Sequence, residues 1–406
     1  MDSLITAAAR ALAAGDPLTA LNQVALRDDA AALAMRGIAL AQLGDLPRAG
    51  ALLKAAGRAF GKKEALARAR CVVARAEIAL ASRDLGWSEQ PLEAARSTLE
   101  KHGERINAAH ARHIRIRRQL LLGRLDEAER GLSGIDAASY PPPLQAAHEL
   151  VIAGIALRRL QTRRARAALA RAGTAARQSG IPALIAEVEQ AALTLTVPAA
   201  RLFHKGRQRA LLLEEVEALL ASNTLIVDEC RHRVRSGGTS IPLVGRPILL
   251  ALARMLAEAW PEDVPRDVLI EKVFRTRFAD DSHRARLRVE VGRLRQRLRG
   301  HAGIKATRRG FTLTPEPGTD VAVLTPPVDE KHPAILALLA DGEAWSSSAL
   351  ALALGASQRT VQRALESLAR EEKVQCFGRG RARRWLLPPI PGFTTTLLLP
   401  APLPGG

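Results

Sequence analysis

Three times in its first half the chain sets a turn glycine five residues ahead of an alanine: Gly15 before Ala20, Gly44 before Ala49 and Gly123 before Ala128. Glycine stops a helix by taking the left-handed conformation, and an alanine one turn into the next helix lets two helices approach closely. Around these marks, from Asp2 to about Leu195, Ala, Leu and Arg recur with helical periodicity. The breaks fall at Gly15-Asp16-Pro17, Gly44-Asp45, Gly123-Arg124 and Pro141-Pro142-Pro143. The pattern predicts consecutive helical hairpins, and we assign residues 1–200 to one helical-repeat domain.

The sequence has 406 residues, enough for two to four domains with cores of their own. With 47% hydrophobic and 25% charged residues it is not composed like a disordered chain, and no apolar run is long enough to span a bilayer. Arg10 and Asp16 interrupt the first apolar stretch, which argues against a signal peptide. Cys71, Cys230 and Cys376 stand too far apart for a zinc or redox pair, and their odd number suits a reducing compartment, so the expected location is the cytoplasm. Lys and Arg number 60 against 41 Asp and Glu, a net charge of +19 that attracts a polyanion or an acidic membrane surface. Residues 1–200 hold 28 basic and 19 acidic groups and the remainder 32 and 22, so local clustering must decide between partners. Only twelve aromatic residues offer platforms for unpaired bases, which disfavours single-stranded nucleic acid.

The helical half resembles tetratricopeptide-type repeats. Its glycine spacings of 29 and 79 residues depart from a period of about 34, and Leu or Ala fills most of the large aromatic positions. The resemblance implies a groove for a peptide or protein partner, such as RNA polymerase, or an effector-sensing and dimerising module. A scaffold burying its own faces fits the same residues. Arg158, Arg159, Arg163, Arg164 and Arg166 lie on successive turns and read as a solvated face rather than a phosphate contact.

Residues 201–222 read as a connecting helix. Beyond them Leu225-Ile226-Val227, His232-Arg233-Val234 and Ser240-Ile241-Pro242-Leu243 predict short strands, with Gly237-Gly238 as a turn, before a helix from about Pro247 to Ala259. A helix from Val268 to Phe274, a capping loop Asp280-Asp281-Ser282, a long helix to about Arg299 and a basic hairpin around Arg308-Arg309-Gly310 complete the segment. Along the long helix Leu287, Val291, Leu294 and Leu298 form one apolar stripe, leaving Arg286, Glu290, Arg293 and Arg297 on an adjacent stripe expected to be exposed. Ten basic residues and one acid between Ser282 and Phe311 suit a helix lying between two phosphate rows.

Residues 223–315 resemble the winged-helix DNA-binding domain of OmpR/PhoB-type response regulators, and Arg286 to Leu298 resembles that family's recognition helix. Arg286 and Arg293 are suited to guanine, Glu290 to cytosine and Val289 to a thymine methyl, while Arg288, Arg295 and Arg299 are assigned to phosphate. Arg308 and Arg309 would be the tip of the wing. The sequence departs from the family in its short wing, in Phe311 where Tyr is usual, and in Gly292 in the middle of the helix.

Residues 316–328, with Thr325-Pro326-Pro327, read as a linker. A helix from about Pro333 to Ala340 follows, then one from Ala349 to Leu354 capped by Ser346-Ser347-Ser348, a turn at Gly355, and one from Gln358 to Glu371 capped by Ser357. Val361, Leu365 and Leu368 form the inner face of the last helix, and Gln358, Arg359, Gln362 and Arg363 its outer N-terminal turns. Strands from Val374 to Phe377 and Trp385 to Leu387 flank Arg379, Arg381, Arg383 and Arg384, a wing suited to clamping phosphate. Residues 329–388 resemble the winged helices of DeoR- and MarR-like bacterial regulators, a pattern that also serves protein docking. The tail, residues 389–406, carries Phe393 to Leu399 as an expected edge strand.

No GxxxxGK[ST] loop, GxSxG elbow, HExxH helix or strand-linked GxGxxG occurs. His110 and His113 share a helical face at ligand spacing, but no Cys or carboxylate partner stands out in the sequence, so packing is expected of them. The expected fold is mainly α: a helical-repeat, tetratricopeptide-like solenoid followed by two small α+β winged-helix domains. The expected function is a one-component, bacterial-type transcription regulator that binds double-stranded DNA sequence-specifically, with no enzymatic activity, cofactor, metal or membrane partner, and with room for a homodimer. The alternative is an adaptor protein whose winged helices mediate docking or dimerisation.

Overall fold

In a computed structural model the chain is described over residues 3–386, except 62, 83, 275, 277–279, 328–331, 340–344, 372, 379, 381 and 382. It is mainly helical with small sheets. Among the described residues eleven α-helices fill the N-terminal half: α1 (Ser3–Ala13), α2 (Pro17–Val24), α3 (Ala30–Gln42), α4 (Leu46–Ala59), α5 (Ala65–Ala81), α6 (Gln90–Lys101), α7 (Arg105–Leu121), α8 (Leu125–Leu132), α9 (Pro142–Arg158), α10 (Thr162–Ser179) and α11 (Pro182–Leu193). Their boundaries follow from capping chemistry. Asp16 and Asp45 accept hydrogen bonds from the backbone N–H of Thr19 at 3.0 Å and Arg48 at 3.3 Å, and a proline occupies the first turn of α2 and α4.

Gly15 and Gly44 hold φ of +76° and +87°. Each donates its N–H to the carbonyl three residues back, and the next N–H reaches the carbonyl five residues before it. These two bonds satisfy helix-end carbonyls that would otherwise lack partners. The same pair of bonds closes the turns at 103, 123 and 160. In all five the residue five positions on is a buried alanine: Ala20, Ala49, Ala108, Ala128 and Ala165. The phrase read from sequence therefore recurs twice more, once with Leu160 in the left-handed position, φ 57°, where glycine is usual.

The chain divides into two compact units, Met1–Leu193 together with Ala334–Gly406, and Thr194–Pro333. The second contains β1 (Ala200–His204), β2 (Arg207–Leu211), α12 (Leu213–Ala221), β3 (Thr224–Asp228), β4 (Arg233–Ser236), β5 (Thr239–Pro242), α13 (Pro247–Ala259), β6 (Val264–Pro265), α14 (Arg266–Phe274), α15 (Asp281–Leu298), β7 (Ala302–Ala306), β8 (Gly310–Pro315) and β9 (Asp320–Thr325). One sheet runs in the order β2-β1-β9-β3-β4-β5, parallel only between β3 and β9, where Val227 sits opposite Val323. A smaller sheet runs β6-β8-β7. Their inner faces and the apolar stripes of α13, α14 and α15 share one core, with Val227, Leu252, Ile270, Val291 and Leu294 at its centre.

Two expectations are corrected here. Residues 201–222 are not a connecting helix: β1 and β2 form a hairpin before the short α12. Lys205 and Gly206, both at positive φ, make the two-residue turn whose twist matches paired strands. Residues 316–328 are not simply a linker, because Val321-Ala322-Val323-Leu324 is a continuous buried run, the signature of a strand covered on both faces.

The first unit is completed by α16 (Pro333–Leu339), α17 (Ser347–Leu354), α18 (Gln358–Arg370), β10 (Gln375–Phe377) and β11 (Arg384–Leu386). Sequence reading made residues 329–388 a domain of their own. Instead Leu339, Trp345, Leu350, Leu365 and Leu368 share a core with Val73, Leu80, Leu92, Leu99 and Ile114 of α5, α6 and α7. Trp345 exchanges two 2.7 Å backbone hydrogen bonds with Trp385, and both rings are fully buried. Among the described residues no helix is long and apolar enough to cross a membrane.

Candidate nucleic-acid interface

The long helix α15 begins where Asp280 accepts from the N–H of His283 at 2.8 Å, a bond that holds the Asp280 carboxyl below its usual range. Leu287, Val291, Leu294 and Leu298 are buried, as their spacing predicts. Arg286, Val289, Arg293, Arg295 and Arg297 are exposed. Glu290 is not: it is buried and accepts a 2.8 Å ion-paired hydrogen bond from Arg293. At about 100° per residue Glu290 lies only roughly 70° from the middle of the apolar stripe, on the shoulder of the core rather than on the outward face. The expectation that it meets a cytosine is corrected accordingly, and Arg293, though 60% exposed, has its charge partly answered.

The outward axis of α15 runs instead through Ala285, Val289, Gly292 and Gln296, all exposed and small except the last. Gln296 was missed because it belongs to neither the arginine pattern nor the leucine pattern. Arg286 and Arg297 flank this strip on one side, Arg288 and Arg299 on the other. Arg286 stacks 4.6 Å from the centre of the Phe274 ring, a brace invisible in sequence because it joins two helices. Arg295, expected on phosphate, donates 2.7 Å to the carbonyl of Ile304 and lies 5.9 Å from the Phe311 ring, so it ties α15 to β7 and β8.

The expected wing corresponds to the β7–β8 hairpin, with Arg308 and Arg309 exposed at its tip. Arg266 fixes the tip from below by donating 2.9 Å bonds to the carbonyls of Thr307 and Arg308. Thr307 donates its hydroxyl to Asp263 at 2.5 Å and accepts from the N–H of Gly310. A Cβ on Gly310 would stand 1.8 Å from the carbonyl oxygen of Val264, so only glycine lets β8 lie against β6. Among the described residues Arg288, Arg297, Arg299, Arg308 and Arg309 have no carboxylate partner.

The second set of residues sits on α18. Ser346 caps α17, Gly355 ends it at φ 61°, and Ser357 caps α18 by accepting from the N–H of Thr360 at 3.2 Å. Val361, Leu365 and Leu368 face inward, while Gln358, Arg359, Gln362 and Arg363 are exposed. Gln358 donates to the Ser347 hydroxyl at 3.2 Å across the turn. Of the expected wing arginines, Arg379 and Arg381 lie outside the described residues, as does the tail strand. Arg383 is exposed and stacks over Trp385 at 4.3 Å. Arg384 is half-buried and donates to the backbone carbonyl of Ser82 at 3.3 Å, so it is an anchor to the helical half rather than a free phosphate clamp.

In the helical half the basic run is largely paired: Arg159 with Asp126 and Glu129, and Arg164 with Glu129. His110 meets a buried carboxylate that the sequence did not reveal, Glu77, at 2.9 Å. His113 Nε2 lies 3.0 Å from His148 Nδ1, and burial pushes the His113 imidazole down to about 4. Among the described residues no group of three or more His, Cys, Asp or Glu side chains is placed to hold a metal ion.

No family model matches the chain, and neither a curated protein nor a solved structure matches it.

Proposed function

We propose that the chain is a sequence-specific double-stranded-DNA-binding transcription regulator of one-component, bacterial type, acting in the cytoplasm, with α1–α11 as its sensing or protein-interaction module. The observation that carries this reading is the outward face of α15. Small side chains at Ala285, Val289 and Gly292 permit close approach to base edges, and arginines without carboxylate partners flank them and continue onto the wing. In this reading Arg286, Arg293 and Gln296 read bases in the major groove, and Arg288, Arg299, Arg308 and Arg309 position the helix on phosphate. The element order β3–β5, α13, α14, α15, β7–β8 supports a winged helix, and α17–α18 with β10–β11 supports a second.

Selection of bound fragments from a random duplex pool, followed by anisotropy titrations over a salt series, tests the reading. Arg286→Ala and Arg293→Ala should each cost about 1–3 kcal/mol on the selected site and relax its sequence choice. Arg308→Ala should weaken selected and random duplex alike and flatten the salt slope. A pool from which no sequence is enriched, or equal losses for all three variants on both duplexes, contradicts it.

The adaptor reading is favoured by one observation, the core that α16–α18 share with α5–α7, which gives the second module a packing role within the chain. Gln358, Arg359, Gln362 and Arg363 nevertheless face solvent, so DNA contact by α18 is kept in the proposal.

A further inference from the structure

Several arginines of the helical half meet carboxylates. Arg36 pairs with Asp28, Arg70 with Glu104, Arg96 with Glu93 and Glu100, Arg117 with Glu187, Arg118 with Glu89, and Arg171 with Glu149. One cleft gathers cations with no acid in its lining. A cleft of about 420 Å³ runs between α4 and α6 with α5 as its floor, and it is lined by Lys54, Arg58, Arg68 and Arg75 with no acid among them. Among the described residues Lys54, Arg58 and Arg75 have no carboxylate partner. Lys54 and Arg58 stand four residues apart on one face of α4, and Arg68 and Arg75 two turns apart on α5. Like charges four residues apart repel along a helix, and the floor brings Arg75 to the same cleft. The rest of the lining is largely apolar, Val72 and Ala94 included.

We infer that this cleft is a binding site for a small anionic amphiphile, with a phosphate or carboxylate head held by Lys54, Arg58 and Arg75 and a short apolar body lying on Val72 and Ala94. The volume is that of a small-molecule site. A nucleic-acid backbone would use the cations but leave the apolar floor unanswered. An arginine head clamp matches the planar or tetrahedral anion bidentately, which point charges scattered on a surface do not. Cys71 also lines the cleft, but burial pushes its thiol up to about 11, so it offers packing rather than a nucleophile. The lining residues Ala69 and Ala95 belong as well to the core shared with Trp345 and Leu350, so an occupant would press on the packing beneath α17 and α18.

Isothermal titration of the full chain with octyl phosphate and with octanoate, each below its micellar concentration, tests the inference without DNA, so its outcome is independent of the DNA-binding reading. One saturable site is expected for at least one of the two, and the tighter names the head group. Octyltrimethylammonium should not bind. Lys54→Glu with Arg58→Glu should weaken binding by about tenfold or more, and Arg58→Lys should restore part of it. Photolabelling of the unsubstituted chain with a diazirine-bearing alkyl phosphate gives a readout that no folding defect can mimic, with label expected on α4, α5 or α6. The inference is overturned by no saturable binding of either amphiphile, by affinity unchanged in the double variant, by label elsewhere, or by a heptaglutamate peptide that outcompetes both at these residues.

Discussion

At the scale of single residues, Gly292 and His113 are the most informative. Gly292 lies in mid-helix with nothing within 4 Å of a Cβ placed on it. Gly292→Ala should therefore stabilise the free protein by about 0.5–1 kcal/mol, read from denaturant unfolding. Gly292→Leu should leave stability near that of the parent but lower duplex affinity, since it thickens the strip proposed to approach the bases. Unchanged affinity would remove Gly292 from the interface. His113 is buried against His148, the Tyr140 ring edge, His110 and Arg112, and accordingly stays neutral in the fold. Its value falls from 6.5 in the unfolded chain to about 4 in the fold, so the unfolded state binds more protons between these limits. The stabilisation is complete above pH 6.5 and disappears as pH falls toward 4, about 3 kcal/mol in all at 1.4 kcal/mol per pH unit. His113→Gln should flatten that part of the profile in unfolding titrations between these pH values. Sequence showed the His110–His113 spacing but neither Glu77 nor His148, because partners 33 and 35 residues away belong to other helices.

At the scale of elements, the β7–β8 hairpin stands on one close backbone crossing. Gly310→Ala should cost about 2 kcal/mol or more and weaken duplex binding by displacing Arg308 and Arg309, whereas Arg309→Ala should weaken binding with melting temperature unchanged. A Gly310→Ala protein with the parent's melting temperature would contradict that placement of β6 and β8. Elements with caps and strong periodicity were legible in the sequence: α13, α15, α17 and α18 lie within a residue or two of their predicted ends. What could not be read was partnership. The hairpin β1–β2 and strand β9 were passed over because each looks like connecting chain until a sheet is present to receive it. Glu290 was misassigned for a related reason: a residue on the shoulder of an apolar stripe is exposed or buried according to what lies beside it, here Arg293 one turn on in the same helix.

At the scale of the whole molecule, the first unit is discontinuous in sequence. Its helices α5–α7 wait for Trp345, Leu350 and Leu368 to cover them. A chain cut after residue 333 should bind a hydrophobic dye and self-associate while keeping helical circular dichroism, and a monomeric, dye-silent product would show that the shared core is dispensable. Removing residues 1–200 should likewise leave α16–α18 without support, so separating the helical half from the rest by simple truncation is expected to damage both. The arrangement also imposes an order on synthesis. A ribosome emits the apolar face of α5–α7, then all of Thr194–Pro333, and only afterwards the tryptophans that seal it. Throughout that interval the nascent chain carries an open hydrophobic seam, and the cell must shelter it until translation has caught up.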